Sequence, residues 1–137
     1  MFCIAAECHL VYLFLSEWRE ASFAQHLADF IESYLGMRVE SVDEVELIRR
    51  MTEGIYDEEE FKKALSWTKE HCIEGFDKNP EAVQKTREQK DADWEFVVKM
   101  MCIIKDLMNG NANLPEGCEE EKVGHNALAA GFQGQRQ

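Results

Sequence analysis

The stretch Thr86-Arg-Glu-Gln-Lys-Asp-Ala-Asp-Trp94-Glu-Phe-Val-Val-Lys-Met-Met-Cys-Ile-Ile-Lys-Asp-Leu-Met108 predicts a single long helix that organises the chain. Thr86 and Gln89 have the spacing of a capping box, and Gly110 offers the left-handed conformation in which many helices end. Apolar residues recur at steps of three and four and so share one face, which further apolar residues widen. The first set is Trp94, Val97, Val98, Met101, Ile104 and Met108, and the second is Met100, Ile103 and Leu107. A helix that is apolar on nearly all sides is predicted to be buried, although a Met-rich face could instead line a ligand groove.

The chain before this helix shows strand and helix patterns in succession. Residues 37–42 alternate apolar and polar side chains, as a half-buried strand does. Asp43 predicts the start of a helix that Gly54 ends, and Asp57 predicts the start of another. The expected inward residues are Val45, Leu47, Ile48 and Met51 in the first helix, and Phe61, Ala64, Leu65, Thr68 and Cys72 in the second. We therefore predict an α/β fold, a partial parallel-sheet domain dominated by helices, with one long buried helix at about 86–108.

The two ends of the chain carry weaker signals. Residues 1–35 begin with an apolar stretch and continue with a loosely helical run from Trp18 to Tyr34. Residues 109–118 have the composition of a loop, and Glu119–Glu121 fit a solvated helix start. We expect residues 1–28 to pack poorly or to form an ill-fitting helix over the strand near Met37, so that deleting them costs little stability.

Composition limits the possible partners and the compartment. The formal net charge of −12 argues against nucleic acid and anionic membranes, because both would repel the chain. Five cysteines, an odd number without a disulfide-like spacing, indicate a reducing cytoplasm. No apolar run has the length of a membrane span. We expect no signal peptide, because Glu7 and His9 interrupt the opening stretch and no basic residue precedes it.

Few residues form a pattern that is typical of catalysis. The sequence contains no CxxC pair, HExxH motif, P-loop or GxSxG elbow. Cys3, Cys8 and His9 could be metal ligands, but their spacing matches no common site. His71 and the following cysteine are adjacent on a helix and therefore point to different faces. The acidic run 57–60 is typical of a helix start.

The tail Gly131-Phe-Gln-Gly-Gln-Arg-Gln137 has a different character, with three glutamines and an arginine between glycines. Glutamine both donates and accepts hydrogen bonds, arginine only donates, and glycine lets the backbone approach a ligand closely. This combination suits a hydroxyl-rich ligand such as a sugar. A polar connector between structural elements is the alternative.

Four blocks of the sequence resemble the L-fucose isomerase family. They are Tyr34-Leu-Gly-Met-Arg-Val-Glu-Ser-Val-Asp43, Glu53-Gly-Ile-Tyr-Asp-Glu-Glu-Glu60, Arg87-Glu-Gln-Lys-Asp91 with the long helix, and Gly124-His-Asn-Ala-Leu-Ala-Ala-Gly-Phe-Gln-Gly-Gln-Arg-Gln137. The blocks stand in the family's order and cover nearly everything from about Phe30 onward. The resemblance implies that residues 30–137 are a fragment of the family's second (N2-like) α/β domain. Residues 1–29 form a divergent N-terminal segment without a family counterpart.

The resemblance implies an intramolecular oxidoreductase of carbohydrate metabolism, a cytoplasmic aldose–ketose isomerase. Such an enzyme converts L-fucose into L-fuculose, acts also on D-arabinose, uses Mn²⁺ and assembles as a homo-hexamer. In this chemistry a divalent metal polarises the sugar carbonyl, and a carboxylate moves a proton between neighbouring carbons through an ene-diol. The family's metal ligands, a glutamate, an aspartate and a histidine, lie downstream of the Gln-Gly-Gln-Arg-Gln block. We therefore assign no catalytic, cofactor-binding or metal-ligating residue here, and we expect the fragment alone to bind no Mn²⁺ specifically and to be inactive. The alternative from another class is a non-catalytic, acidic, helical interaction module.

Overall fold

A computed structural model describes residues 9–14, 21–36 and 38–133. This part of the chain is rich in helix and has few strands, as the sequence predicts. The strands are β1 (His9–Phe14), β2 (Arg38–Asp43) and β3 (Ala127–Gln133). The helices are α1 (Ala21–Leu35), α2 (Glu44–Glu53), α3 (Glu58–His71) and α4 (Arg87–Asn109), with a short 3-10 helix at Glu81–Val83.

The strand β1 lies at the centre of the sheet, whose order is β2-β1-β3. It pairs in parallel with β2 from His9 opposite Arg38 to Phe14 opposite Asp43. It also pairs in parallel with β3, ending with Phe14 opposite Gln133. The expectation that the N-terminal segment packs poorly is therefore wrong for residues 9–14. Their apolar run without alternation is typical of a strand covered on both faces. Periodicity alone cannot distinguish such a run from part of a helix, and the sequence here contains no turn residue that would mark the end of a strand.

The ends of the helices follow the local signals in the sequence. Thr86 accepts a hydrogen bond from the Gln89 backbone and the Gln89 side chain accepts one from the Thr86 backbone, so the capping box is formed. Asp43 accepts from the backbone N–H of Val45, and Asp57 accepts from two backbone N–H groups at the start of α3. These bonds satisfy donors that have no partner inside the helix.

The buried face of α4 differs from the predicted one. Val97 and Met101 are 43% and 58% exposed, so the prediction of a helix buried nearly all round is wrong. The buried side chains of α4 are Val98, Cys102, Ile103, Asp106 and Leu107. The reason is that α2, α3 and β3 cover only part of the helix surface. Which apolar residues are covered depends on these distant elements and not on the pattern within α4.

The core joins the sheet to α2 and α4. Its buried residues are Val42, Leu47, Ile103, Leu107 and Ala127, with Met51, Tyr56, Ile104 and Met108 packed against them. Two predicted inward residues of α2, Val45 and Ile48, are instead exposed. The predicted stripe of α3 is at most half-buried, and Cys72 at its end is exposed. The helix α3 therefore lies on the rim of the fold, with one side against α4.

A close glycine contact returns the chain from α4 to β3. Gly110 has φ 76° and ψ 162°, an extended rather than the predicted left-handed helical conformation. A Cβ on Gly124 would lie 2.1 Å from the Gly110 nitrogen, so only glycine fits there. The His125 N–H donates to the Leu107 carbonyl at 2.8 Å and fixes the approach. The tail then forms β3, and residues 119–121 are turns rather than the predicted helix start. In the three ranges that the structure describes, no helix is both long and apolar enough to cross a membrane.

Candidate functional site

A polar cleft of about 700 Å³ opens between the start of α3 and the end of α4. Its lining residues are Asp57, Glu59, Glu60, Lys63, Lys105, Gly110, Asn111, Ala112 and Asn113. Lys105 Nζ forms an ion pair with Glu60 and lies 3.4 Å from Asp106 Oδ1. The Asn111 amide donates to Asp106 Oδ1 at 3.0 Å and to Glu60 Oε2 at 3.4 Å. Two helices and the loop after α4 are thus joined by one network.

Asp106 is the most unusual member of this network, because its side chain is only 1% exposed. Its Oδ2 atom is buried without a hydrogen-bond partner. Burial raises the pKa of this carboxyl, and the contacts with Asn111 and Lys105 oppose the rise without cancelling it. Burial alone would lower the pKa of Lys105, but its contact with Glu60 and the nearby Asp106 raise it. The structure therefore holds a buried carboxyl that resists ionisation beside an ammonium that keeps its proton.

The carboxylate of Asp57, which also lines the cleft, has a structural task. Hydrogen bonds from the backbone N–H of Glu60, the Asn113 amide and the N–H of Glu59 lower the pKa of this carboxyl. Burial opposes the lowering without cancelling it. The acidic run 57–60 thus marks a helix start, as its sequence indicates. Glu59 and Glu60 are paired with lysines and Asp57 caps a helix, so each of these carboxylates has a partner in the fold. We interpret the cleft as the joint that fixes α3, α4 and the following loop.

A second network fixes α2 to the loop before β3. Arg50 is buried, and its Nε donates to Glu46 Oε1 at 2.7 Å. Arg49 donates to Glu46 at 2.9 Å and to Glu121 Oε1 at 2.7 Å. The hydrogen bonds from Arg49 and Arg50 and the charges of both arginines lower the pKa of the Glu46 carboxyl. Burial opposes the lowering without cancelling it. This network and the glycine contact together define where β3 begins.

The carboxyl ends of the three strands meet at one edge of the sheet. Phe14 of β1 stands opposite Asp43 of β2 and Gln133 of β3. In α/β folds this edge is the usual ligand side. The strand β3 runs toward this edge, and residues 134–137, which follow it in the sequence, lie outside the described ranges. His125, in the loop before β3, has its Nδ1 3.0 Å from Glu40 Oε1, and this contact ties the loop to β2.

The remaining sequence candidates do not come together as a site. Cys3 and Cys8 lie outside the described residues, and His9 is described only as a position in β1. His71 Nδ1 lies 2.9 Å from the Trp67 carbonyl oxygen, and its ring stacks on the Trp67 ring, so its contacts are within α3. Within residues 9–14, 21–36 and 38–133, no three His, Cys, Asp or Glu side chains are placed to hold a metal ion.

Sequence reasoning missed Asp106 and Arg50 as buried charged residues. Asp106 could have been noticed because it stands among the apolar residues of α4, where a charged side chain is not expected. Arg50 stands on the same face of α2 as the buried Leu47, three residues away. Asn111 and Glu121 lie outside the helices of Asp106 and Arg50, so these contacts could not be read from spacing. The pair of Arg50 with Glu46, in contrast, has the i, i+4 spacing within α2.

Comparison with known proteins identifies the family to which this architecture belongs. The profile described as L-fucose isomerase, second N-terminal domain, matches residues 21–137. The chain is 64% identical over 113 residues to an L-fucose isomerase of Bacteroides thetaiotaomicron. It is 62% identical to an L-fucose isomerase of Phocaeicola vulgatus over 113 residues and to one of Streptococcus pneumoniae over 110. The chain therefore belongs to the L-fucose isomerase family.

The extent of these matches defines which part of the family the chain represents. Each alignment covers 80% of this chain but only 19% of the relative. The chain thus spans about a fifth of the length of the relatives it matches. The profile match begins at Ala21, inside the segment 1–29 that we assigned as divergent.

Proposed function

We propose that this chain is a segment of an aldose–ketose isomerase that converts L-fucose into L-fuculose and also accepts D-arabinose. The observation that carries the proposal is the identity of 64% over 113 residues with a protein named L-fucose isomerase. A cytoplasmic location and a homo-hexameric assembly belong to the same proposal. The location rests on the five cysteines of the sequence without a disulfide-like spacing.

We further propose that residues 30–137 form part of the second domain of this enzyme and that 1–29 diverge from it. The three strands would then belong to the parallel sheet of a larger α/β domain. The parallel pairing of β1 with both neighbours supports this idea, because a parallel sheet is usually covered by helices on both faces. The strand β1 is the part of the divergent segment that such a sheet would need.

The chain's contribution to the sugar site would be one wall at the carboxyl edge of the sheet. The strand β3 runs toward this edge, and Gln135, Arg136 and Gln137 follow it closely in the sequence. Their carboxamide and guanidinium groups would donate to and accept from sugar hydroxyls. The role is binding and orientation, and it requires no acid or base from this chain.

The Mn²⁺ of the proposed enzyme does not fit the residues described here. The carboxylates of the polar cleft are occupied by lysines, Asn111 and a helix start, and no three ligand side chains converge in the described ranges. We therefore assign the metal to residues outside this chain and propose that the chain alone is inactive.

A chimera provides the sharpest test of this proposal. The segment of the Bacteroides thetaiotaomicron enzyme that aligns with this chain is replaced by the corresponding residues of this chain, and formation of L-fuculose from L-fucose is measured. We expect turnover within about tenfold of the parent enzyme, because most of the exchanged positions are identical. A matched chimera with Gln135→Ala should show a higher KM for L-fucose with the same fold. A folded, assembled chimera without turnover would contradict the proposal.

The alternative function, an acidic interaction module without a reaction, has one observation in its favour. Ile73 and Phe76 are almost fully exposed, as contact residues are before a partner binds. In that case the chimera would assemble and remain inactive, while the unmodified chain would still self-associate or bind a partner.

A further inference from the structure

One side of α4 is apolar and only partly covered. Val97 and Met101 are 43% and 58% exposed, and Ile104 and Met108 are half-buried against the core. These four residues follow one another at steps of four, three and four positions. That is the spacing with which a helix packs lengthwise against another helix, whereas a helix surface that faces water carries polar side chains. We call these four residues the α4 seam.

The α4 seam faces away from the connection between α2 and α3. Lys99 marks that connection, because its ammonium lies over the rings of Tyr56 and Phe61. With 3.6 residues in each helical turn, the seam lies on the side of α4 opposite to Lys99. The helix α2 contacts β2 and α4 contacts β3, and these two strands lie on opposite sides of β1. The seam therefore borders the space beside α4 on the β3 side of the sheet.

Phe132 of β3 presents a further apolar side chain to the same space. Phe132 and Val42 are both paired with Leu13 in the two ladders of β1, so they point to the same face of the sheet. Val42 is buried in the core that α2 and α4 form on this face, whereas Phe132 is 46% exposed. Phe132 thus lies on the helix-covered face at a place that α4 leaves partly open.

The topology of the sheet predicts what covers this space. From β2 the chain crosses β1 to reach β3, which is an edge strand of the described sheet, and α2 and α4 pack on one face along the way. Parallel crossovers are nearly all right-handed, and consecutive strands are usually neighbours. A further step in the same direction, from β3 to a strand at its edge, therefore places its helix on the face of α4. That position lies next to the α4 seam and over Phe132.

We propose that the α4 seam and Phe132 bind a helix of the same isomerase polypeptide, which follows residue 137 and leads to a fourth parallel strand beside β3. The proposal rests on the proposed function, because it needs a longer protein, and the relatives are about five times as long as this chain. A stable interface between separate proteins takes about 20 residues on each side. Five residues are far fewer, and a helix in the same polypeptide loses less freedom when it docks.

A photo-crosslinker in the chimera with the Bacteroides thetaiotaomicron enzyme tests the contact. With p-benzoylphenylalanine at position 101, we expect an internal crosslink of monomer mass on a denaturing gel. Mass spectrometry should locate the attachment within about 40 residues after the position of Gln137, which is the length of one crossover unit. The control is the same crosslinker at position 45, an exposed site on α2, which should not attach there. Attachment to another subunit or to an earlier segment, or the same attachment from position 45, would overturn the proposal.

Thermal unfolding of Met101→Lys, in this chain and in the chimera, measures whether the seam becomes covered. We expect Tm to change by about 2 °C or less in the chain, where the lysine stays in water, and to fall by at least about 5 °C in the chimera, where its charge would be buried. The control Val45→Lys should have a small effect in both proteins. Equal shifts for Met101→Lys in the two proteins would contradict the proposal.

Turnover of the unsubstituted chimera separates this contact from the proposed function. An inactive chimera with the expected crosslink and Tm loss would support the contact and refute the activity. An active chimera without them would refute the contact and leave the proposed function in place.

Discussion

At the scale of single residues, Asp106 is the position where the fold and its charge conflict. Burial raises the pKa of its carboxyl above the unfolded value, so the folded state binds the proton more tightly. The stability gained from the protonated form is complete below the unfolded pKa and is lost as pH rises through the folded one. The amide that replaces this carboxyl in Asp106→Asn is neutral at every pH. We expect the stability of the variant relative to the native chain to increase as pH rises from the ordinary pKa of an aspartate toward the raised pKa of Asp106.

The measurement is urea unfolding of both proteins at several pH values. Asp57→Asn is the control with the opposite sign, because the pKa of Asp57 is lowered in the fold. Its carboxylate stabilises the fold above the unfolded pKa, and this contribution is lost as pH falls through the lowered one. The stability of the control relative to the native chain should therefore decrease with rising pH. Parallel curves for the two variants would contradict the assignment of Asp106.

Gly124 tests the glycine contact that returns the chain to β3. A methyl group there would meet the Gly110 nitrogen at 2.1 Å, and main chain cannot move aside as a flexible side chain does. We expect Gly124→Ala to lower the free energy of unfolding by about 3 kcal/mol. The control is Gly131→Ala in β3, where an added Cβ has nothing within 4 Å. Similar urea midpoints for both variants would show that the contact relaxes freely.

At the scale of elements, α4 shows which information is local. Thr86 and Asp57 could be recognised as caps because a cap forms within three residues of chain. The buried face could not, because it depends on α2 and β3, which approach from far away in sequence. The periodic pattern therefore predicted the helix and its limits but assigned Val97 and Met101 to the wrong side.

The direction of the α4 face leads to a prediction with a matched pair. Ile103 is fully buried and Met101, two residues before it, is 58% exposed. We expect Ile103→Ala to cost about 3 kcal/mol of unfolding free energy and Met101→Ala about 0.5 kcal/mol or less. Both alanines favour helix, so propensity contributes little to the difference. Equal losses of unfolding free energy for the two variants would support the buried face that the periodicity predicted.

The strand β1 could not be identified from turn residues or periodicity in the sequence. Its apolar run indicated neither strand nor helix, and the tail that forms β3 is rich in small residues with little strand preference. Both are strands because each pairs with the other. Deleting residues 1–14 would separate β2 from β3, and we expect the truncated chain to lose its cooperative transition in urea, followed by circular dichroism. A midpoint like that of the full chain would instead support the dispensable segment that the sequence alone suggested.

At the scale of the whole molecule, the four blocks that resemble the family carried more information than any local pattern. They predicted the family that the comparisons identify. No local pattern could predict the contacts of Asp106 with Asn111 and of Arg50 with Glu121, because these two partners come from loops outside the helices of Asp106 and Arg50. The same networks explain why the acidic residues that take part in them have structural partners and are not available for chemistry.

The last prediction concerns catalysis by the isolated chain. Purified protein is incubated with L-fucose and Mn²⁺, and L-fuculose is measured against a blank that contains the metal alone. We expect no turnover above the blank, because Glu60 is paired with Lys105 and Asp57 caps α3, which leaves neither carboxylate free to act as a base. Isothermal titration with Mn²⁺ should likewise show only weak binding, since the described carboxylates do not converge on one point. Turnover above the blank that is abolished by Glu60→Gln would place the chemistry in this chain, and the parent isomerase under the same conditions is the positive control.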